Sequence, residues 1–334
     1  MKSKGVTDMR QAVITDYNFA DVELERNLLA PLGCRLEALK SSSNRDELVS
    51  LVKHADFVIT QFADLNAEVI GQMERCKLIV RYGIGVDNVD VKAAALKGIP
   101  VCNVPDYCTN EVADHALALI LDLCRRVTEN AVKVRGGTWG SAVPLQAMRS
   151  LKDQTVGIVA YGRIGREVAL RLRAFKCELV AFDPFADEAK MRADGVEPVS
   201  LEQLYSRSTI ITLHCPSTEE TRFMINAESI ARMRVGTLLV NVSRGTLVQT
   251  DDLARALASG HLAAAAVDVT DPEPIDPAHP LVGLGNALIT PHVAAWSPQA
   301  VLRLRHAVAE TVAIALRGEK LPNVVNGGAL GKVS

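Results

Sequence analysis

The 334-residue sequence has no block of like charge, few aromatic residues, no Cys-x-x-Cys pair and no long apolar run. A formal charge of −2, with aromatics scattered and only 4% of the total, leaves no electrostatic footprint for nucleic acid. The most apolar stretches, such as ALALILDLC at 116–124, fall far short of the ~20 residues that span a bilayer. No apolar core follows the lysines of MKSKGVTDMR, which argues against a secretory signal and leads to the expectation of a cytoplasmic protein. The seven cysteines (Cys34, Cys76, Cys102, Cys108, Cys124, Cys177, Cys215) are odd in number and lack metal-ligand spacing. They are expected to be buried thiols, with neither a disulfide framework nor a metal site.

What is present is a globular composition, 48% apolar and 23% charged. A chain of this length exceeds one ordinary core, so two domains are expected. Short β-branched runs recur at 12–17, 34–39, 55–60, 77–82 and 100–105, separated by helical patterns such as VDVKAAALKG with Gly98 as its stop. A long helical stretch opens at Asn110–Glu111 and runs to Gly136–Gly137, apolar most of the way round, as for a helix buried between domains or subunits. TVGIVA, ELVAFD, TIITLHCP, TLLVNVS, AAAAVDV and ALITPH then alternate with helical patterns and predict a second parallel sheet. One amphipathic helix, SPQAVLRLRHAVAETVAIALRG, closes the chain.

The stretch GIVAYGRIG (157–165) joins a buried-strand pattern to a helix whose stripe is Ile164, Val168, Leu172 and Phe175. Gly162 and Gly165 stand where a dinucleotide fingerprint needs its second and third glycines, one for close approach of a pyrophosphate and one for helix–strand packing. Ala160 replaces the first glycine and is tolerable there if its φ is negative. The N–H groups of Arg163 and Ile164 would meet phosphates at the positive end of the helix. The next strand ends in Asp183, 18 residues beyond Gly165, with no arginine directly after it. An acid there accepts from a ribose 2′-hydroxyl and repels a 2′-phosphate, which favours NAD over NADP.

Ligands of open parallel sheets bind beyond the carboxyl ends of the strands. His214, Arg244, Asp268 and His292 each follow a predicted strand directly. One histidine, arginine or aspartate at such a place is ordinary; four on one sheet edge point to a site.

The series RYGIGVDNVD, NVPDYCTNEVADHALALIL, VGIVAYGRIGREVA, LHCP, NVSRGTLV, AAVDVTDPEP and TPHVA, in this order over nearly the whole chain, resembles the D-isomer-specific 2-hydroxyacid dehydrogenase family. The resemblance implies an α/β fold of two Rossmann-like or flavodoxin-like domains with parallel sheets and an active site in the interdomain cleft. Residues 1–109 with 298–334 would form the substrate domain, and 110–297 the NAD-binding Rossmann domain. It implies NAD-linked interconversion of a 2-hydroxy and a 2-oxo acid, carried by Arg244, Glu273 and His292. Reduction of a carbonyl needs a positioned acid, the role of His292, and Glu273 would orient its imidazole and favour the protonated form. Arg244 offers a planar fork to the substrate carboxylate. Asp268 would hold the nicotinamide end of the cofactor, Val242 and Ser243 would line it, and His214 and Pro216 would border it. Ile84 and Gly85 are the expected N–H donors to the substrate carboxylate. His54, His115, His261, His279 and His306 receive no role.

The family also suggests a homodimer, formed through the helix after Asn110 and the arm around Trp139. Phosphoglycerate dehydrogenases of the family carry a basic residue where this chain has Thr60 beside Gln61, and the sequence stops soon after LPNVVN, so no appended regulatory domain is expected. An unphosphorylated acid is therefore favoured over 3-phosphoglycerate, its side chain selected by Thr60, Gln61, Phe62, Tyr82, Tyr107 and Trp296. TPHVAAWSPQA resembles the C-terminal-binding corepressor branch as well, which keeps an NAD(H)-sensing interaction protein as the alternative.

Overall fold

The computed structural model describes residues 9–41 and 44–330; the signal reading of Met1–Asp8 lies outside the described residues. The chain divides into two compact units, one ending at Tyr107 and resuming at Ser297, the other running from Cys108 to Trp296.

The first unit carries β1 (Arg10–Ile14), β2 (Cys34–Ala38), β3 (Phe57–Thr60), β4 (Leu78–Arg81) and β5 (Val101–Cys102) in one sheet of order β2-β1-β3-β4-β5, every pair parallel. This is the flavodoxin-like order. The strands are continuous apolar runs because helices cover both faces of a parallel sheet; all four residues of β3 are buried. The C-terminal helix Pro298–Arg317 belongs to this unit, packing Leu304, Val308 and Val312 with Ala12, Ile14 and Leu78. The Ser297 hydroxyl accepts from the Ala300 N–H at 2.9 Å, Pro298 occupies the first turn, and Gly318 at φ +70° ends the helix.

The second unit carries β6 (Thr155–Val159), β7 (Glu178–Phe182), β8 (Glu197–Pro198), β9 (Ile210–Leu213), β10 (Thr237–Asn241), β11 (Leu262–Val267) and β12 (Ala287–Ile289). Their order is β12-β11-β10-β9-β6-β7-β8, again all parallel. Chain direction across the sheet reverses between β6 and β9, and such a switch point opens the ligand crevice of a Rossmann sheet.

The long helix expected from Asn110 to Gly136 is two helices, Thr109–Arg125 and Val127–Arg135. Arg126 adopts φ +53°, and the Asp122 carboxylate takes the Thr128 N–H at 2.8 Å, capping the second helix across the break. The first buries Leu119, Ile120 and Leu123; the second buries nothing, leaving Val127 and Val132 exposed, as are Trp139 and Leu145 beyond it. Among the described residues no helix is long and apolar enough to cross a membrane.

Candidate active site

The site is built from the carboxyl ends of the second sheet. At the end of β6, Gly162 caps the helix Arg163–Arg173. A Cβ added to Gly162 would meet nothing within 4 Å, whereas one on Gly165 would lie 2.2 Å from the Ala160 carbonyl oxygen. Gly162 therefore leaves space above the turn, and Gly165 lets the helix press on the strand. Arg163 and Ile164 occupy the first turn of that helix, where N–H groups have no intrahelical acceptor.

The negative φ under which alanine would be tolerable at 160 is not the one adopted: its φ is +70°. The backbone must turn left here because the Ala160 N–H still pairs with the Phe182 carbonyl at 2.8 Å while the chain leaves the strand. An L residue in that conformation costs about 1–2 kcal/mol. Asp183, just beyond β7, accepts from the Tyr161 N–H and the Phe185 N–H, both at 2.8 Å. One carboxylate thus ties the second strand end to the glycine turn and keeps spare lone pairs on both oxygens. An open cradle at a helix N-terminus with an acid beside it fits a dinucleotide.

His214 follows β9. Its Nε2 lies 2.9 Å from Thr212 Oγ1, and its buried Nδ1 has no partner among the described residues. Burial pushes the imidazole down to about 3, so it is neutral at physiological pH. Nearby, the Pro216 carbonyl accepts from Thr221 Oγ1, Val242 is buried, and the Ser243 hydroxyl donates to the Leu213 carbonyl at 2.7 Å, tying the ends of β9 and β10 together.

Arg244 extends from the end of β10, its Nη1 donating to the Ser243 carbonyl at 2.6 Å. The next residue, Gly245, was not singled out in the sequence, yet a Cβ there would fall 1.9 Å from the Thr270 carbonyl oxygen. Only glycine lets the arginine turn lie against the loop that carries Glu273. Thr250 Oγ1 braces that loop by donating to the Asp271 carbonyl at 2.7 Å.

His292 Nδ1 lies 2.6 Å from Glu273 Oε1, both side chains a little under half exposed. An ionised carboxylate only accepts, so Nδ1 bears the hydrogen and Nε2 is left for chemistry. His292 itself sits at φ +53°. Its N–H donates to the Asp268 carbonyl at 2.8 Å, and the buried Asp268 carboxylate accepts from Val293 N–H at 3.0 Å, Ala294 N–H at 2.8 Å and Thr290 Oγ1 at 2.5 Å. Asp268 therefore organises the loop that presents His292, a task the sequence reading did not give it. His279, given no role from the sequence, caps the short helix Pro280–Gly283 by accepting the Leu281 N–H at its Nδ1, and its Nε2 lies 3.0 Å from Asp251 Oδ1.

In the first unit, Ile84 and Gly85 follow β4. The Ile84 carbonyl accepts from Asn103 Nδ2 at 2.6 Å, which pins the loop, and among the described residues the two N–H groups find no protein acceptor. Three of the expected selectivity residues turn inward. Thr60 and Gln61 are buried, with Gln61 paired to Asn18 through two hydrogen bonds of 2.9 Å, and Tyr82 is buried with its hydroxyl on Glu25 at 2.9 Å. Phe62 and Trp296 are exposed.

Residues 117–294 match the model of the D-isomer specific 2-hydroxyacid dehydrogenase NAD binding domain. The chain is 37% identical to a D-3-phosphoglycerate dehydrogenase of Mycobacterium bovis over 92% of its own length but spans only 58% of that relative. It is 38% identical to a glyoxylate reductase of Korarchaeum cryptofilum, covering 84% of this chain and 85% of the relative. Among solved structures, the TT0316 protein of Thermus thermophilus superposes with a TM-score of 0.85 at 35% identity, over 94% of this chain and 99% of that one. A cradle suited to NAD, in a domain matched throughout by that family's model, leads to one conclusion: the chain belongs to the D-isomer specific 2-hydroxyacid dehydrogenase family.

Proposed function

We propose that this chain is an NAD-dependent dehydrogenase that interconverts a small D-2-hydroxy acid and its 2-oxo acid. The observation that carries the reading is the 2.6 Å His292–Glu273 pair on a loop held by Asp268. Bound NAD supplies the hydride acceptor for the alcohol carbon, and NADH the donor for the carbonyl carbon. Gly162, Arg163, Ile164 and Gly165 hold the pyrophosphate, Asp183 the ribose, and His214, Pro216, Val242, Ser243 and Asp268 border the remainder. Arg244 pairs with the substrate carboxylate and polarises its carbonyl; in the first unit, the Ile84 and Gly85 N–H groups are by themselves suited to receive a carboxylate. In reduction His292 Nε2 gives its proton to the carbonyl oxygen; in oxidation the neutral Nε2 removes the hydroxyl proton. Glu273 fixes the ring by accepting from Nδ1 throughout.

An unphosphorylated acid is favoured over 3-phosphoglycerate because Thr60 and Gln61, buried and uncharged, offer no cation to a phosphate. A homodimer formed through the second unit is supported by exposed Val127, Val132, Trp139 and Leu145, apolar surface that a monomer leaves in water. The deciding experiment is an NADH-linked assay over glyoxylate, hydroxypyruvate, pyruvate, longer 2-oxo acids and 3-phosphohydroxypyruvate. Turnover of an unphosphorylated acid is the expected result. Binding of NADH that shifts the oligomer without turnover of any acid would replace the enzyme by a nucleotide-sensing interaction protein.

A further inference from the structure

His115 lies on the helix Thr109–Arg125, far in sequence from Asp268, Glu273 and His292. Its Nε2 stands 3.3 Å from Thr290 Oγ1 and 3.6 Å from Asp268 Oδ1. The direction of these contacts follows from counting protons. Thr290 has one hydroxyl hydrogen, and it is committed to the Asp268 carboxylate at 2.5 Å, which can only accept. Thr290 Oγ1 must therefore accept from His115, and the imidazole carries its hydrogen on Nε2. The chain of donors runs from His115 to Thr290 to Asp268, whose carboxylate also gathers the Val293 and Ala294 N–H groups and whose carbonyl takes the His292 N–H. Aligned donors of this kind polarise one another in a buried setting.

The loop at the far end needs such support. His292 occupies a left-handed conformation at φ +53°, which an L residue holds only where its surroundings over-determine it. Asp268 supplies three of the bonds that do so, and His115 Nε2 reaches both Asp268 and the hydroxyl bonded to it. The His115 side chain is 23% exposed and sits on a helix that packs against the sheet, so its ring is carried by a rigid element.

We infer that His115 is a positioning residue: through Thr290 and Asp268 it holds the His292 loop in its reactive conformation. It touches neither substrate nor cofactor in this scheme. The inference rests on the proposed dehydrogenase reading for its kinetic consequence, though not for its structural one.

The test compares His115→Leu, which keeps bulk on the helix but removes the donor, with His115→Gln, whose terminal amide N–H reaches toward the place of Nε2. Amide hydrogen exchange is followed at Val293 and Ala294, and kcat and KM are measured with NADH and whichever 2-oxo acid the wild-type protein reduces. In His115→Leu, exchange at the two amides speeds up and kcat falls, each about three- to tenfold, with KM within about twofold. His115→Gln restores both to within about twofold. Unchanged exchange in His115→Leu, faster exchange without loss of kcat, or a glutamine variant as impaired as the leucine one overturns the inference. A wild-type protein that reduces no 2-oxo acid sinks the dehydrogenase reading instead, and the exchange measurements alone then decide the role of His115.

Discussion

Adding one methyl group at Gly162 and, separately, at Gly165 probes the glycine turn at two sites with opposite expected outcomes. On Gly165 the new carbon would lie 2.2 Å from the Ala160 carbonyl oxygen, 3.2 Å from its carbon and 3.4 Å from Ile158 Cγ2. An ordinary carbon–oxygen contact is about 3.3–3.6 Å, so helix and strand must part by about 1 Å. Overpacking of that order costs about 1–3 kcal/mol. Loss of chain entropy in the unfolded state returns about 0.4–1 kcal/mol. The net loss of about 1–2 kcal/mol lowers Tm by about 2–8 °C for a unit of this size. On Gly162, with φ −75° and open space around the added carbon, the same substitution leaves Tm within about 2 °C, since the entropic gain offsets the poorer N-cap. There the methyl intrudes on a pyrophosphate, and about 1–3 kcal/mol of overpacking raises the Kd for NADH about 5- to 150-fold. Thermal melting by circular dichroism and titration of NADH fluorescence measure the two effects. A Gly162→Ala protein that binds NADH as tightly as wild type refutes the cradle, and a Gly165→Ala protein with unchanged Tm refutes the packing argument.

Three further outcomes are expected. His292→Asn lowers kcat by about two to four powers of ten with NADH binding retained, because Asn cannot exchange the proton; stopped-flow and steady-state assays check this, and unchanged turnover removes the histidine from the chemistry. Asp183→Ala weakens NAD and narrows the preference over NADP, and it also loosens the turn through the Tyr161 N–H; a constant ratio of the two affinities contradicts the ribose assignment. His214 is held neutral by a pKa pushed down from 6.5 to about 3, so below pH 6.5 the unfolded chain binds a proton that the folded one does not. Stability from this group is full above 6.5 and is lost as pH falls toward 3, and His214→Leu therefore flattens the dependence of Tm on pH in that window. An unaltered slope shows that the ring titrates normally in the folded protein.

The strands, the glycine turn and the polar residues at the strand ends were legible because each depends on a pattern a few residues long. A parallel sheet buried on both faces reads as apolar runs, and parallel strands bring all their carboxyl ends to one edge, so His214, Arg244, Asp268 and His292 could be placed together from their positions after such runs. The partners that make those residues work were not legible, because they are distant in sequence. Gly245 is needed by the Thr270 carbonyl, Thr290 by Asp268, and His115 by Thr290 across 175 positions. Tyr82 looked available for substrate, but its buried hydroxyl donates to Glu25, which Arg305 in turn pairs, and both partners are remote in sequence.

Backbone conformation shows the same division. The sequence left the φ of Ala160 open, and the demands of pairing with Phe182 while admitting Gly165 turn it left-handed. An uninterrupted helical pattern ran through Arg126, yet capping by Asp122 breaks the helix there. The amino-acid order by itself determined most strands and helices, where the glycine turn lies and which side chains follow the strand ends, since short-range sterics and burial periodicity decide those. Only the tertiary structure decided which of these groups touch, which way hydrogen bonds run and which residues are strained, since contacts between remote segments arise from packing that no local pattern encodes.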